Sequence, residues 1–262
     1  MAASRSPGVL RRECEYHEDL YSGFAQTHFA RPAVRALRRH LVGRIRRVTG
    51  VSQVSRVLSL GCGIGDTEIL LGPHVGEVVG VDLSPNGIKQ ARIDAARGGI
   101  SNVRFVEGTH HDLDETFDAV IAIFFLHHLS DPDLADLPFR VQSMLNPAGV
   151  FYSLDPSIRR LSGAVGRLLV PGLMKRYQTA DERELDARYV RALFQDLGFD
   201  VHADTYDFGS SPLAGLFPGW RLGYSVARIV DDILLKLPLC RVYGSNFEII
   251  AKNGHEMRAD NR

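Results

Sequence analysis

The chain is poor in several things, and each scarcity removes a class of protein. Its three cysteines, Cys14, Cys62 and Cys240, are far apart. They form neither a disulfide framework nor a CxxC metal site. No stretch reaches the roughly 18 apolar residues that a membrane-spanning helix needs. Met1 to Arg12 carries arginines but no apolar core, so no secretory signal is expected there. Net charge is missing as well: 31 Lys plus Arg balance 31 Asp plus Glu, a formal +0. No global positive field draws nucleic acid to the protein, and no nucleic-acid partner is expected. These scarcities describe a soluble protein of a reducing compartment, the cytoplasm.

What remains is a chain of 262 residues, long enough to bury a full core as one large domain with an embellishment. Its charge is balanced but uneven. From Arg31 to Arg56 there are eight arginines and no acidic residue, which reads as a solvated helix face. Val34, Leu37, Leu41 and Ile45 sit among them at helical spacing, and Gly50 ends the helix. Beyond it, apolar strands alternate with helices. Strands are expected at 55–60, Glu77–Asp82, Asn102–Glu107, Phe117–Phe124 and Gly149–Leu154, and helices at 66–74, Pro85–Arg97 and Pro132–Leu145. Near-continuous apolar strands in such alternation predict a mainly parallel sheet covered on both faces.

The second half is patterned differently. A long helix is expected over Asp181–Leu197, closed by Gly198, with strands at Phe199–Tyr206 and Asn246–Lys252. The connection between those strands holds Leu222, Val226, Ile229, Val230, Ile233, Leu234 and Leu237, a helical stripe closed by Pro238. Its apolar face could dock on the core, cover a substrate or make a weak membrane-surface contact through 222–237.

The most informative stretch is Val57-Leu58-Ser59-Leu60-Gly61-Cys62-Gly63-Ile64-Gly65-Asp66. An apolar strand runs into three glycines spaced two apart, where the backbone can turn tightly and approach a bound molecule. The P-loop reading fails, because no GK[ST] follows. The dinucleotide fingerprint fits poorly, because its third glycine falls one position later, although Asp82 could bind a ribose under that reading too.

Four segments, in order, decide between these readings. Leu58 to Gly65 resembles the first motif of the class I S-adenosylmethionine-dependent methyltransferases. Val79-Gly80-Val81-Asp82-Leu83-Ser84 resembles the family's second strand with its ribose-binding acid. Phe117-Asp118-Ala119-Val120-Ile121-Ala122, followed by Leu126-His127-His128-Leu129, resembles the fourth strand and its loop. Leu145-Asn146-Pro147-Ala148-Gly149-Val150-Phe151 resembles the turn into the fifth strand. The resemblance runs from about Val54 to Leu154, with a looser match at Asn246–Lys252.

The resemblance implies an α/β, Rossmann-like sheet of seven strands, mainly parallel, with helices on both faces and an antiparallel last strand. It implies an N-terminal helical lid over 1–53, a cofactor core over 54–206, a helical insertion over 207–245 as substrate cap, and a closing strand and tail over 246–262. It implies S-adenosyl-L-methionine as cofactor. Gly61, Cys62, Gly63 and Gly65 would then pass under its amino acid part. Asp82 would accept from both ribose hydroxyls, and Leu83 would pack on the adenine. Asp66 would open the next helix, near the cofactor's ammonium group. Thr109 stands where the family carries an acid that reaches the adenine amine, so its hydroxyl or the His110 backbone would serve instead. Ala122 and Tyr21 complete the expected cofactor contacts. His127 and His128 are candidates for the base, with a loop-capping role equally open. Asp155, on the same rim, could orient a histidine or the acceptor, or simply turn the chain before Pro156. His110, His111 and Asp112 near the histidine pair raise the question of a metal. Mg²⁺ prefers oxygen ligands, so none is expected. The acceptor would be a small or medium organic molecule, enclosed by Ile158–Tyr177 and by Phe217, Trp220 and Tyr224. The reaction would be methyl transfer, to oxygen first, in specialised metabolism. Carbon or nitrogen of a quinone, lipid or sugar stays open, as do a nucleic-acid methyltransferase and a non-catalytic relative. The protein would be a monomer or homodimer.

Overall fold

The computed structural model describes His28, residues 30–109, 113–160 and 184–254. Helix α1 spans Pro32–Thr49, with Pro32 at its first turn and Gly50 closing it at φ 72°. A left-handed residue there lets the chain leave the helix, and glycine adopts it without a Cβ clash. The expected stripe of Val34, Leu37, Leu41 and Ile45 is buried, together with Ala33 and Val42.

Then follow β1 (Arg56–Leu60), α2 (Asp66–Leu71), β2 (Glu77–Asp82), α3 (Pro85–Arg97), β3 (Val103–Glu107) and β4 (Phe117–Ile123). Helix α4 (Asp131–Met144) leads to β5 (Leu145–Pro156), and α5 (Ala187–Asp196) leads to β6 (Asp200–Asp207). Two helices, α6 (Ser210–Leu216) and α7 (Arg221–Leu234), precede β7 (Asn246–Lys252). The seven strands are ordered β3-β2-β1-β4-β5-β7-β6. All neighbours are parallel except at β7, which runs antiparallel to both β5 and β6. The expected sheet, with its antiparallel last strand, is borne out.

Side chains alternate across the strands, as period two requires. Leu58, Val120 and Phe151 join a core with Leu134, Leu137 and Val141 of α4 and Val190 and Phe194 of α5. Val57, Ala119, Ile121 and Tyr152 join the opposite core, where α1 packs. The order reverses between β1 and β4, so the crevice for a ligand lies at their carboxyl ends.

Three elements depart from the expected boundaries. Helix α5 starts at Ala187, capped by Asp186, which accepts from the Arg188 amide. Leu185 is instead extended and bridged to Ser157; residues 181–183 lie outside the described set. Strand β5 starts at Leu145 rather than Gly149, because Leu145 pairs with Phe117 before a register shift. The insertion is two helices rather than one, broken at Phe217-Pro218-Gly219-Trp220.

The second of those helices also sits with its stripe reversed. Leu222, Val226, Ile229, Val230 and Ile233 are exposed, while Gly223, Tyr224, Arg228 and Asp231 are buried. The inward face is held by polar bonds. Asp231 Oδ1 accepts from the amides of Phe208 (3.1 Å) and Gly209 (3.0 Å), and Oδ2 from that of Ser210 (2.9 Å). Arg228 Nη1 donates to the Tyr206 carbonyl at 3.2 Å, and its Nη2 to Asp232 at 2.7 Å. Asp207, also buried, accepts from the Ser211 amide (2.7 Å) and Asn246 Nδ2 (2.7 Å). A carboxylate satisfied by several backbone amides is stable where a bare one is not. Replacing Asp231 with alanine should therefore lower the unfolding free energy by about 1–3 kcal/mol, as measured by urea denaturation. An unchanged midpoint would remove Asp231 as the anchor of α7.

Candidate active site

The three glycines after β1 all have positive φ: 67° at Gly61, 53° at Gly63 and 73° at Gly65. An L side chain at any of them would be strained. Space is short as well. A Cβ on Gly61 would come within 2.3 Å of the Phe125 ring, and one on Gly65 within 2.4 Å of the Phe105 ring. The loop is pinned to the end of β2. The Gly61 and Cys62 amides donate to the Val81 carbonyl at 2.9 and 3.1 Å, and the Gly65 amide donates to the Cys62 carbonyl at 2.9 Å. Asp82 closes the link: Oδ2 accepts from the Gly63 amide at 2.8 Å and Oδ1 from the Ser84 amide at 2.9 Å. Leu83, next in the chain, is 38% exposed. A carboxylate locked in place beside a part-exposed leucine, over three glycines whose backbone no Cβ covers, is an arrangement that a ribose with an adenine and a flexible tail could meet.

Cys62 is buried against Gly80 and Phe105, and burial pushes its thiol pKa well up. It packs there, since only a thiolate is reactive. Ala122 is fully buried in the core. Thr109 is half-buried just past β3. Tyr21, His110, His111 and Asp112 lie outside the described residues. Among the described residues no group of three His, Cys, Asp or Glu side chains could hold a metal ion.

Phe124, directly after β4, has a φ of 53°, rare for a bulky residue. A 3-10 turn, Leu126–His128, follows. Asp155, at the end of neighbouring β5, is fully buried and holds this turn. Its Oδ1 lies 2.9 Å from His127 Nδ1 and accepts from the His127 amide at 3.2 Å. Burial pushes the Asp155 pKa well above the usual carboxylate range, against the pull of the His127, Leu126 and Phe125 amides. Asp155 therefore both shapes the turn and meets the His127 ring. The His128 ring stacks on His127, with centroids 4.1 Å apart and a tilt of 38°.

Of the residues expected to enclose an acceptor, Tyr224 is buried while Phe217 and Trp220 are exposed. Those two pack edge to face at 6.3 Å. Ile158 is exposed, and residues 161–177 lie outside the described set.

Sequence reading missed two features. Arg38, on α1, reaches Asp66 Oδ2 at 2.7 Å and lies 5.9 Å from the Phe124 ring centre. The other is Glu68, buried beneath the glycine loop, whose Oε1 accepts from Ser59 Oγ at 2.6 Å. Glu68 follows Thr67 and precedes Leu71 by three, on the buried face of α2. That spacing was the available signal.

The comparisons with known proteins fit this geometry. A family model described as a methyltransferase domain matches residues 57–149. An uncharacterized methyltransferase of Bacillus subtilis (strain 168), YcgJ, is 38% identical over 79 residues, 29% of this chain and only 31% of that protein. The demethylmenaquinone methyltransferase of Geobacillus kaustophilus (strain HTA426) is 30% identical over 202 residues, 68% of this chain and 86% of that protein. The chain belongs to the class I S-adenosylmethionine-dependent methyltransferases. Among solved structures, a DhpI–SAH complex aligns at a TM-score of 0.60 and 18% identity, over 94% of this chain and 97% of that one. At that identity the likeness speaks for the fold.

One consequence concerns this methyltransferase's stability. Burial pushes the Glu68 carboxyl up to about 7 from 4.5, against the Ser59 hydrogen bond. The folded protein then holds a proton that the unfolded chain releases. Its stabilising share is complete below about 4.5 and is lost as pH rises to about 7. Glu68→Gln keeps a group that can bond Ser59 and removes the titration. The variant should gain on the native protein over that interval, by on the order of a few kcal/mol, in urea unfolding at a series of pH values. A stability difference independent of pH would rule this out.

Proposed function

We propose that the protein moves the methyl group of S-adenosylmethionine to an oxygen of a small or medium organic acceptor, with His127 taking the hydroxyl proton. The observation that carries this reading is the buried His127–Asp155 pair, 2.9 Å apart, at the carboxyl end of β4 and β5. When bound, S-adenosylmethionine supplies an electrophilic methyl on a sulfonium. The chain's share is to hold donor and acceptor in line and to exclude water. Gly61, Gly63 and Gly65 give the donor a bare backbone, Asp82 meets its ribose, and Leu83 packs on its adenine. Asp66 stands at the start of α2, ion-paired to Arg38, and so fixes α1 against the cofactor loop.

The base follows from the proton balance of the pair. An Asp155 carboxylate accepting the Nδ1 proton leaves the lone pair of His127 on Nε2. That form carries one net negative charge in a buried place, so burial delays its appearance to higher pH. Only the form that has lost this proton is a base. Turnover should rise with pH as this happens. Asp155→Asn removes the buried charge, so the acid limb of the pH–rate profile should shift to lower pH while kcat falls. His127→Ala should lower kcat by about 10²-fold or more and leave cofactor binding intact. If both variants kept near-full turnover at neutral pH, with native thermal melts, the base assignment would be wrong and the pair would be a strut of the turn.

The quinone reading has its own support. The Geobacillus relative is named for demethylmenaquinone. A hydroxyl made anionic by His127 activates either its own oxygen or a neighbouring ring carbon, so the same site serves both outcomes. NMR of the methylated product separates them. Specialised metabolism as the setting rests on the apolar insertion and the neutral charge, which favour a small organic acceptor over a macromolecule.

The cofactor assignment is tested apart from the chemistry. Asp82→Ala should weaken S-adenosylmethionine binding by about 1–3 kcal/mol in calorimetry. Unchanged affinity would take Asp82 out of the ribose site. No heat with folded native protein would end the enzyme reading.

A further inference from the structure

We propose that the outward face of α7 is a docking surface for anionic phospholipid membranes. An amphipathic helix in a globular protein ordinarily turns its apolar side to the core. Here the polar side is fixed inward by the bonds of Asp231 and Arg228. The apolar stripe of Leu222, Val226, Ile229, Val230 and Ile233 is left uncovered. Phe217 and Trp220 stand exposed at its amino-terminal end, the kind of side chain that settles at a headgroup boundary. A contiguous exposed apolar stripe rimmed by polar residues marks a contact surface.

Charge selects the occupant. Arg221 and Lys236 are exposed at the two ends of the stripe. Asp232, the acid exposed on α7, is bonded to Arg228. Alongside lies α1, tied to the segment before α7 by the Ala33 amide donating to the Pro218 carbonyl at 2.8 Å. Of its arginines, Arg47 is exposed on the flank toward α7, beside the His40 that feels Arg228 and Asp232. Apolar stripe plus flanking cations is the recognition chemistry of an anionic bilayer surface. A second copy docked face to face would bring the Arg221, Lys236 and Arg47 charges of both chains together, which like-charge repulsion opposes. No described helix is long and apolar enough to span a membrane, so the contact is peripheral.

The surface also adjoins the catalytic edge. Leu213 of α6 and Tyr224 of α7 share a core with Phe124, Ile123 and Leu154 at the carboxyl ends of β4 and β5. Docking would set that edge near the bilayer, and on the methyltransferase reading above a lipid-like acceptor would enter from there.

Trp220 is the single tryptophan of the chain, so its fluorescence reports the contact directly. Mixing the full chain with phosphatidylcholine–phosphatidylglycerol vesicles should shift its emission to the blue and carry the protein into the vesicle pellet. Vesicles of phosphatidylcholine alone should bind it less, and added salt should weaken binding to the anionic ones. Ile229→Asp should lower partition about tenfold or more. Calorimetry with S-adenosylmethionine should give the native affinity for that variant, which separates failure of docking from failure of the enzyme reading. Absence of both the blue shift and the pellet would overturn the proposal. So would equal binding to neutral vesicles, or a concentration-dependent dimer that Ile229→Asp dissociates, since the face would then belong to a second copy.

Discussion

Everything at the site depends on how the end of β1 is fastened to the end of β2. Two successive amides, from Gly61 and Cys62, converge on the Val81 carbonyl. One residue later the Asp82 carboxylate bridges the Gly63 amide and the Ser84 amide. The same carboxylate thus shapes the glycine loop and steadies the entry to α3, where Ser84 Oγ accepts from the Gly87 amide. A loop of residues with positive φ is costly to order unless something holds it, because glycine loses more freedom on folding than any other residue. Here a strand end and a charged group hold it. A ligand that meets Asp82 therefore meets a group already in place, which lowers the ordering cost of binding.

Around this link the protein buries more carboxyl groups than stability alone recommends. Glu68 lies under the loop, Asp155 under the histidine turn, and Asp207 and Asp231 behind α7. Each is satisfied differently. Asp231 takes three backbone amides across the start of α6. Asp155 takes the His127 amide and imidazole, with the Leu126 and Phe125 amides also drawing on it. Glu68 takes one hydroxyl. A buried carboxyl is tolerated in proportion to its donors, and Glu68, with the fewest, is the one that burial pushes up to about 7.

How much could be read beforehand follows the range of the forces involved. Glu77–Asp82 and Pro85–Arg97 stand as expected, because an unbroken apolar run, a serine cap and a proline in the first turn are all local. The extended stretch at Glu184–Asp186 was not legible. Its conformation comes from pairing with Ser157, a contact without local period. The early start of β5 comes likewise from Leu145 meeting Phe117. The glycine loop and Asp82 were legible because backbone geometry demands those residue types. The Arg38–Asp66 pair was not, because a charged residue looks the same in sequence whether it ends in water or in an ion pair, and Glu68 had only its spacing from Leu71 to mark it. His110 and Tyr21, expected at the cofactor, fall outside the described residues.

Helix α7 shows the deeper limit. Hydrophobic period tells that a helix has an apolar side, and nothing in the period tells which way that side turns. Direction is decided by competition between two burials. Turning the stripe inward would gain apolar area but would strand Asp231 and Arg228 in water and leave the amides of Phe208, Gly209 and Ser210 without their acceptor. Those amides stand where β6 gives way to α6, and unsatisfied donors at a helix start are among the more expensive defects a fold can carry. The polar side therefore goes in, and the apolar side is left for whatever the surface next meets. An exposed stripe arising in this way is a consequence of the buried network rather than of loose packing, so it persists in the folded protein.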